Sequence, residues 1–136
     1  MILTLILFII AIIIVCTTRE PEEFSRLREK YQKFIKLVPN EFPELKKESV
    51  LVCLIRPGEL GYNINKGYEI AICYDKNVNS MFHVLLHELA HGTVPEYEHS
   101  SKFWNNMEKL RTIAVRNNLY TPIHNEKNFC GAKIKD

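Results

Sequence analysis

The chain opens on an almost unbroken aliphatic run, Ile2 to Cys16, in which Thr4 is the only polar residue. With Thr17 and Thr18 it makes a helix about 26 Å long at ~1.5 Å per residue, slightly short of a ~30 Å hydrocarbon core. The pattern then changes. Glu20 to Leu37 places Phe24, Leu27, Tyr31, Phe34, Ile35 and Val38 at the i, i+3, i+4, i+7 spacing of an amphipathic helix. Pro21 suits its first turn and Pro39 ends it. Pro43 to Glu48 adds a short turn of helix. Ser49 to Arg56 and Tyr68 to Tyr74 are β-branched segments too short for helices, and they predict two strands. Pro57-Gly58 and Gly61 form a turn between them, and an extended piece at Tyr62 to Ile64 pairs beside the second. Two helices follow, Ser80 to Gly92 and Ser100 to Asn118, and the sequence beyond Pro122 is polar and irregular. This order predicts an α+β fold in three parts: an apolar anchor at 1–18, one domain at 19–120, and an irregular tail at 121–136.

For residues 1–18 an uncleaved membrane anchor competes with a cleaved signal peptide. A signal peptide wants a basic start and small residues before the cut. No Lys or Arg precedes this run, and Ile14-Val15-Cys16 is not such a site, so the expectation is a single-pass anchor. Arg19, Arg26, Arg28, Lys30 and Lys33 follow the span, which puts the domain on the cytoplasmic side by the positive-inside rule.

Charge and cysteine content exclude more than they suggest. The net charge of +2 is too small to argue for nucleic acid, and Arg26, Arg28, Glu29, Lys30 and Lys33 interleave both signs as a solvated helix face does. Cys16, Cys53, Cys73 and Cys130 show no CxxC spacing, so neither a zinc knuckle nor a disulfide-dense scaffold is expected. Cys53 and Cys73, both in strands, are expected as buried free thiols.

The chemistry lies in His87-Glu88-Leu89-Ala90-His91, an HExxH motif. Residues four apart on a helix share a face, so the two imidazoles can converge on one ion. Phe82, Leu85, Leu86 and Leu89 give that helix an apolar side, and Gly92 suits its C′ position. Glu88 can take the proton of a water that zinc has acidified and hand it to a leaving amine. A catalytic zinc wants a third protein ligand. The metzincin spacing would need histidine at position 97, which is Tyr97. Glu96, Glu98, His99 and Glu108 are candidates. His99 is favoured, since the Pro95-containing loop can fold back and the Phe103, Met107, Leu110, Ala114 stripe docks the following helix. Other residues have quieter expected roles. His83 is second-shell or solvent-facing, and His124 is exposed. Asn63 and Asn65 make turns or line the substrate edge. Tyr97 and Tyr120 are core residues or oxyanion donors. Trp104 packs its helix on the sheet. Cys130 is a remote candidate to cap the zinc.

Gly61-Tyr62-Asn63-Ile64-Asn65-Lys66-Gly67, Ile70-Ala71-Ile72-Cys73, LLHELAHG and His99-Ser100-Ser101-Lys102-Phe103-Trp104 occur in that order. Together they resemble the WLM group of metallopeptidases, relatives of the SprT/Spartan proteases that digest DNA–protein crosslinks. The resemblance covers roughly Val50 to Arg111. It implies a minimal zincin fold, a small sheet packed on the HExxH helix, with His87, His91 and His99 on zinc and Glu88 as catalyst. The His91-to-His99 interval is longer than is usual in that family.

Three functions follow as expectations. The first is a membrane-anchored zinc metalloendopeptidase that cuts protein or peptide substrates laid along the edge of the Tyr68 to Tyr74 strand. The second is a non-catalytic, zinc-stabilised protein-binding module. The third is a DNA–protein crosslink protease, which the anchor and the small charge argue against.

Overall fold

The computed structural model describes residues 1–55 and 58–136. Arg56 and Pro57, the end of the first expected strand and half of the expected Pro-Gly turn, lie outside the described residues. The elements are α1 (Ile2–Thr17), α2 (Glu22–Phe34), a 3₁₀ turn (Pro43–Leu45), β1 (Val50–Leu54), β2 (Gly61–Ile64), β3 (Glu69–Cys73), α3 (Val78–His91), α4 (Ser101–Arg116), β4 (Lys127–Phe129) and β5 (Ala132–Ile134). The fold is α+β, as the periodicity predicts.

The three-stranded sheet has the order β1-β3-β2, with β1 parallel and β2 antiparallel to β3. The second strand read from sequence is therefore the central one. Both its edges are taken, so it cannot accept an extended peptide as a fourth partner; the outer strands are β1 and β2. Ile70, Ala71 and Ile72 of β3 are fully buried, which explains why this segment is the most evenly apolar of the three.

The helices pack against the sheet and one another through fully buried side chains: Phe24, Leu27, Tyr31 and Phe34 of α2, Met81, Phe82, Leu85 and Leu86 of α3, Phe103, Leu110 and Ala114 of α4. At ~25 cal/mol per Å² of apolar surface, each large side chain in that set contributes on the order of 1.5–3 kcal/mol before ordering entropy is subtracted. An edge-on contact between Phe34 and Phe82, ring centres 5.6 Å apart, joins α2 to α3.

α1 buries none of its residues. Among the described residues no single helix is long and apolar enough to cross a membrane; α1 and α2 together meet that length and composition across a 59° bend. The apolar residues of α2 are committed to the core, so α2 is a poor second half of a span. Glu20, held by Ser25 and Arg28, and the Arg28 bond to the Leu51 carbonyl at 3.0 Å tie the start of α2 to the sheet.

The tail is not irregular. β4 and β5 form an antiparallel hairpin with Phe129 opposite Ala132. Its two central residues, Cys130 at φ 46° and Gly131 at φ 83°, both adopt positive φ, as a type I′ turn requires. Ile123, Phe129 and Ile134 are buried, so the tail belongs to the domain. A disulfide joins Cys73, at the end of β3, to Cys130. This corrects the expected free Cys73. Cys53 could not have paired with it: Cys53 lies opposite Ile72 and Leu54 opposite Cys73, so the two sulfurs project to opposite faces of the pleat. Cys53 and the exposed Cys16 are free.

Candidate metal centre

Asn77 caps α3, its side-chain oxygen accepting from the Ser80 amide at 3.0 Å. From that start the helix buries Phe82, Leu85, Leu86 and Leu89, leaving His87 and His91 a turn apart on a half-exposed face with ring centres 5.0 Å apart. Gly92 is the C-cap with φ −73°, not the left-handed residue its position suggests. Its need for glycine is spatial. A Cβ there would sit 3.2 Å from both Leu45 Cδ2 and the Leu89 carbonyl. The chain leaves the helix by bonds from the Gly92 and Thr93 amides to Leu89 and Ala90.

The following loop returns His99 to the helix. Its ring centre is 4.8 Å from that of His87 and 5.0 Å from that of His91. One nitrogen from each of the three rings lies within 4.8 Å of the others, and the Nε2 atoms of His91 and His99 are 3.2 Å apart. Tetrahedral zinc with bonds of ~2.0–2.1 Å separates its ligand nitrogens by about 3.3 Å, so the three imidazoles fit such an ion with little movement. The structure thus brings together all three histidines singled out from sequence. The carboxylates weighed against His99 do not join this cluster: Glu96 accepts from Ser100 Oγ at 2.8 Å, Glu108 pairs with Arg111 at 2.6 Å, and Glu98 is exposed.

Burial sets the protonation states. It pushes His87 down to about 4, with the neighbouring His91, His99 and His83 adding to the effect. His91 is lowered by burial and then by His99 and Lys66. Both rings are therefore neutral near pH 7, the form that offers a lone pair to a metal. Phe103, fully buried, lies 4.6, 4.7 and 5.0 Å from the ring centres of His91, His99 and His87. It forms an apolar floor that excludes water from one side.

Glu88 is 7% exposed, and burial pushes its carboxyl up to about 7. Strand β2 lies directly against it. A Cβ on Gly61 would stand 3.4 Å from Glu88 Oε1 and only 2.7 Å from the Ala71 carbonyl oxygen, so glycine lets the strand approach the helix. Asn63 does two jobs that its sequence context hides. Its Nδ2 donates to the Glu88 carbonyl at 2.8 Å, and its Oδ1 accepts from the Gly67 amide at 2.7 Å. It thereby shapes the β2–β3 turn and fixes β2 over the helix.

Several side chains fall elsewhere than expected. Trp104 does not pack on the sheet; it is 49% exposed, with its ring centre 5.5 Å from His99 and 6.1 Å from His87. Phe103 takes the buried position instead. His83 is buried rather than solvent-facing, its Nδ1 3.0 Å from Asp136 Oδ1 and 3.2 Å from the Tyr120 hydroxyl. Tyr120 is thus committed to that cluster, and Tyr97 is exposed beside Lys66. Cys130, in its disulfide, cannot be a zinc thiolate. Buried Asn106, which donates to Thr93 Oγ1 at 2.9 Å and so holds the start of the ligand loop, carries no sequence signal beyond a polar residue on an apolar helix face.

No family model matches this chain, and no solved structure matches it. It is similar to an uncharacterised protein of Acanthamoeba polyphaga mimivirus, 30% identical over 123 residues. The match takes in 81% of this chain and 62% of that protein, so the chain spans less than two thirds of its relative's length.

Proposed function

We propose that this chain is a zinc-dependent metallopeptidase of the minimal zincin type, with His87, His91 and His99 as ligands and Glu88 as general base. One observation carries the reading: three imidazoles converge within 4.8 Å beside a buried carboxyl. A structural zinc site is closed by four ligands and needs no free carboxylate. This donor set has three, and the next residue along the helix is an acid poised near neutrality. That combination favours catalysis over a purely binding module.

Zinc in this site would supply Lewis acidity, lowering the pKa of a water and polarising a peptide carbonyl. Glu88 takes the proton from the attacking water and delivers it to the leaving amine. Phe103 and the apolar flank of α3 keep bulk water from the ligand rings. The substrate is a protein or peptide in extended form, laid along the outer edge of β2 and not β3, because β2 is the edge strand pinned against Glu88 by Gly61 and Asn63. Trp104, exposed beside two ligand rings, offers an apolar wall to a substrate side chain.

α1, none of whose residues is buried, is read as a membrane anchor, although by itself it falls short of a full span. The Cys73–Cys130 disulfide supports a domain facing an oxidising compartment, against the cytoplasmic side expected from the charges after α1. Protease protection in intact membranes, with and without reductant, tests the orientation.

The chemistry is tested by metal analysis and peptide cleavage with the full chain in detergent. Expected is about one zinc per chain and cleavage that Glu88→Gln lowers by roughly 10²–10⁴-fold while zinc content stays unchanged. Equal cleavage by both proteins removes the mechanism. Full zinc occupancy with no cleavage of any peptide library leaves a binding module.

A further inference from the structure

The helix fixes His87 and His91, but His99 stands exposed on the loop of residues 92–100, and a ligand on a loop is only as well placed as the loop. Its two ends are secured. At the start, Thr93 Oγ1 donates to the Ala90 carbonyl at 2.7 Å and accepts from Asn106. At the far end, Ser100 caps α4 through the Phe103 amide. The middle is held from outside, by the β2–β3 turn. Lys66 Nζ donates to the Glu96 carbonyl at 2.5 Å and to the His91 carbonyl at 3.4 Å, and it sits 3.9 Å from the centre of the Tyr97 ring.

We propose that Lys66 is a positioning residue for the metal centre, a clamp whose ammonium bridges the backbone of the second histidine ligand to the loop that carries the third. The inference rests on the metal reading of His87, His91 and His99. Two features single Lys66 out from an ordinary surface lysine. Its backbone is left-handed, φ 53°, directly after Asn65 at φ 51°, in a turn where asparagine or glycine would be less strained. A residue held on a left-handed backbone whose side chain makes three specific contacts points to a role for those contacts. A positive charge this close to the ligand histidines also opposes a bound cation. Attraction of metal therefore cannot be its contribution; geometry can. By donating to the last-turn carbonyl of α3 the ammonium also caps that helix at its C-terminus, so one group restrains the backbone of His91 and, through Glu96 and Tyr97, the approach to His99.

The test uses the full chain in detergent, stripped of metal and titrated with Co²⁺, whose visible absorption reports the ligand set. Lys66→Met removes the ammonium and keeps the stem, and Lys66→Arg restores donors to the same carbonyls. Expected for Lys66→Met is Co²⁺ affinity weaker by roughly 10- to 100-fold, a spectrum approaching that of His99→Ala, and recovery of both in Lys66→Arg. In the metal-free protein, amide exchange of residues 93–99 rises in Lys66→Met while α4 and the sheet keep their rates. Should Lys66→Met fail to fold, Lys66→Gln, which keeps one donor, carries the same comparison. Wild-type affinity, spectrum and loop exchange in Lys66→Met overturn the clamp alone. So does a loss accompanied by faster exchange throughout the domain and no rescue by arginine. A wild-type chain that binds neither Co²⁺ nor Zn²⁺ overturns the metal reading, and this inference with it.

Discussion

Breaking the Cys73–Cys130 bond should destabilise the domain by a few kcal/mol. The sequence separation across the bond is 57, and the loop it closes contains His87, Glu88, His91 and His99. In the chain-entropy account, a loop of that length lowers the entropy of the unfolded chain by about 14 cal/mol/K, or ~4 kcal/mol at 25 °C. Residual structure in the reduced, unfolded chain trims that figure, so ~2–4 kcal/mol is the working range. For a domain of this size each kcal/mol moves the melting temperature by about 4 °C, which gives a fall of about 8–16 °C on reduction. The assay is thermal unfolding followed by circular dichroism, with and without dithiothreitol, on the wild type and on Cys130→Ser. Titration of thiols in the denatured, never-reduced protein should find two, Cys16 and Cys53, and four after reduction. The reductant should lower the melting point of the wild type and leave Cys130→Ser where it already is. Four reactive thiols before reduction, or a wild-type melting point indifferent to the reductant, would refute the reasoning and take with it the argument for an oxidising compartment.

Other outcomes follow from the site itself. Gly61→Ala places a Cβ 2.7 Å from the Ala71 carbonyl, a backbone atom of the central strand that cannot yield. It should cost ~1–3 kcal/mol in a denaturant titration and lower cleavage further by shifting β2 off Glu88; wild-type stability and activity together would contradict the packing. The chain has a single tryptophan, Trp104, 5.5 Å from the His99 ring, so its fluorescence should be quenched by saturating Co²⁺ and restored by a chelator. Unchanged emission on metal binding would place the metal elsewhere. Metal-free Glu88→Gln should lose stability between pH 7 and pH 5; in the wild type Glu88, raised to about 7 in the fold, gains its proton over the same interval and offsets the loss. The folded-state values of His83, His87 and His91 are all lowered below the ordinary 6.5, so the unfolded chain binds more protons, and the stability these rings lend is present above pH 6.5 and lost as pH falls. For His87, at about 4 in the fold, the loss at pH 5 is ~2 kcal/mol, or ~1 kcal/mol once partial exposure is allowed for. In that variant, a urea midpoint at pH 5 equal to that at pH 7 would contradict it.

How far the sequence discloses this molecule depends on the distance over which each feature is determined. α2, α3 and α4 are legible because a helix repeats its apolar positions within a few turns, and Asn77, Ser100 and Pro39 bracket them locally. The HExxH pair is legible for the same reason: two histidines four apart on one helix are a local fact. What required the fold is whatever joins distant segments. Strand order is one case. Three short apolar strands do not announce which is central, and the proposed substrate edge moves from β3 to β2 as soon as β3 is seen to be paired on both sides. The tail hairpin is another, since three-residue strands fall below any periodicity test and this one is held by buried Phe129 and Ile134 and by a disulfide to a strand 57 residues away. Cys130-Gly131 carried a turn signal, a glycine at the second position of a two-residue turn, but no length of alternation to frame it.

The same division runs through the metal centre. His87 and His91 owe their places to α3; His99 owes its place to a loop that Lys66 of the β2–β3 turn and Asn106 of α4 secure, while the loop's own Thr93 ties it to the last turn of α3. Spacing could nominate His99 over Glu96, Glu98 and Glu108, yet nothing in the spacing explains why its ring stays near the others. The fold explains it through hydrogen bonds whose partners lie up to thirty residues apart. A site assembled this way divides its sensitivity unevenly. Substitutions in α3 should act on metal and fold together, because ligands and core share one helix. Substitutions at the loop's attachments should loosen one ligand while the core stays intact, and at those positions metal affinity and stability should separate.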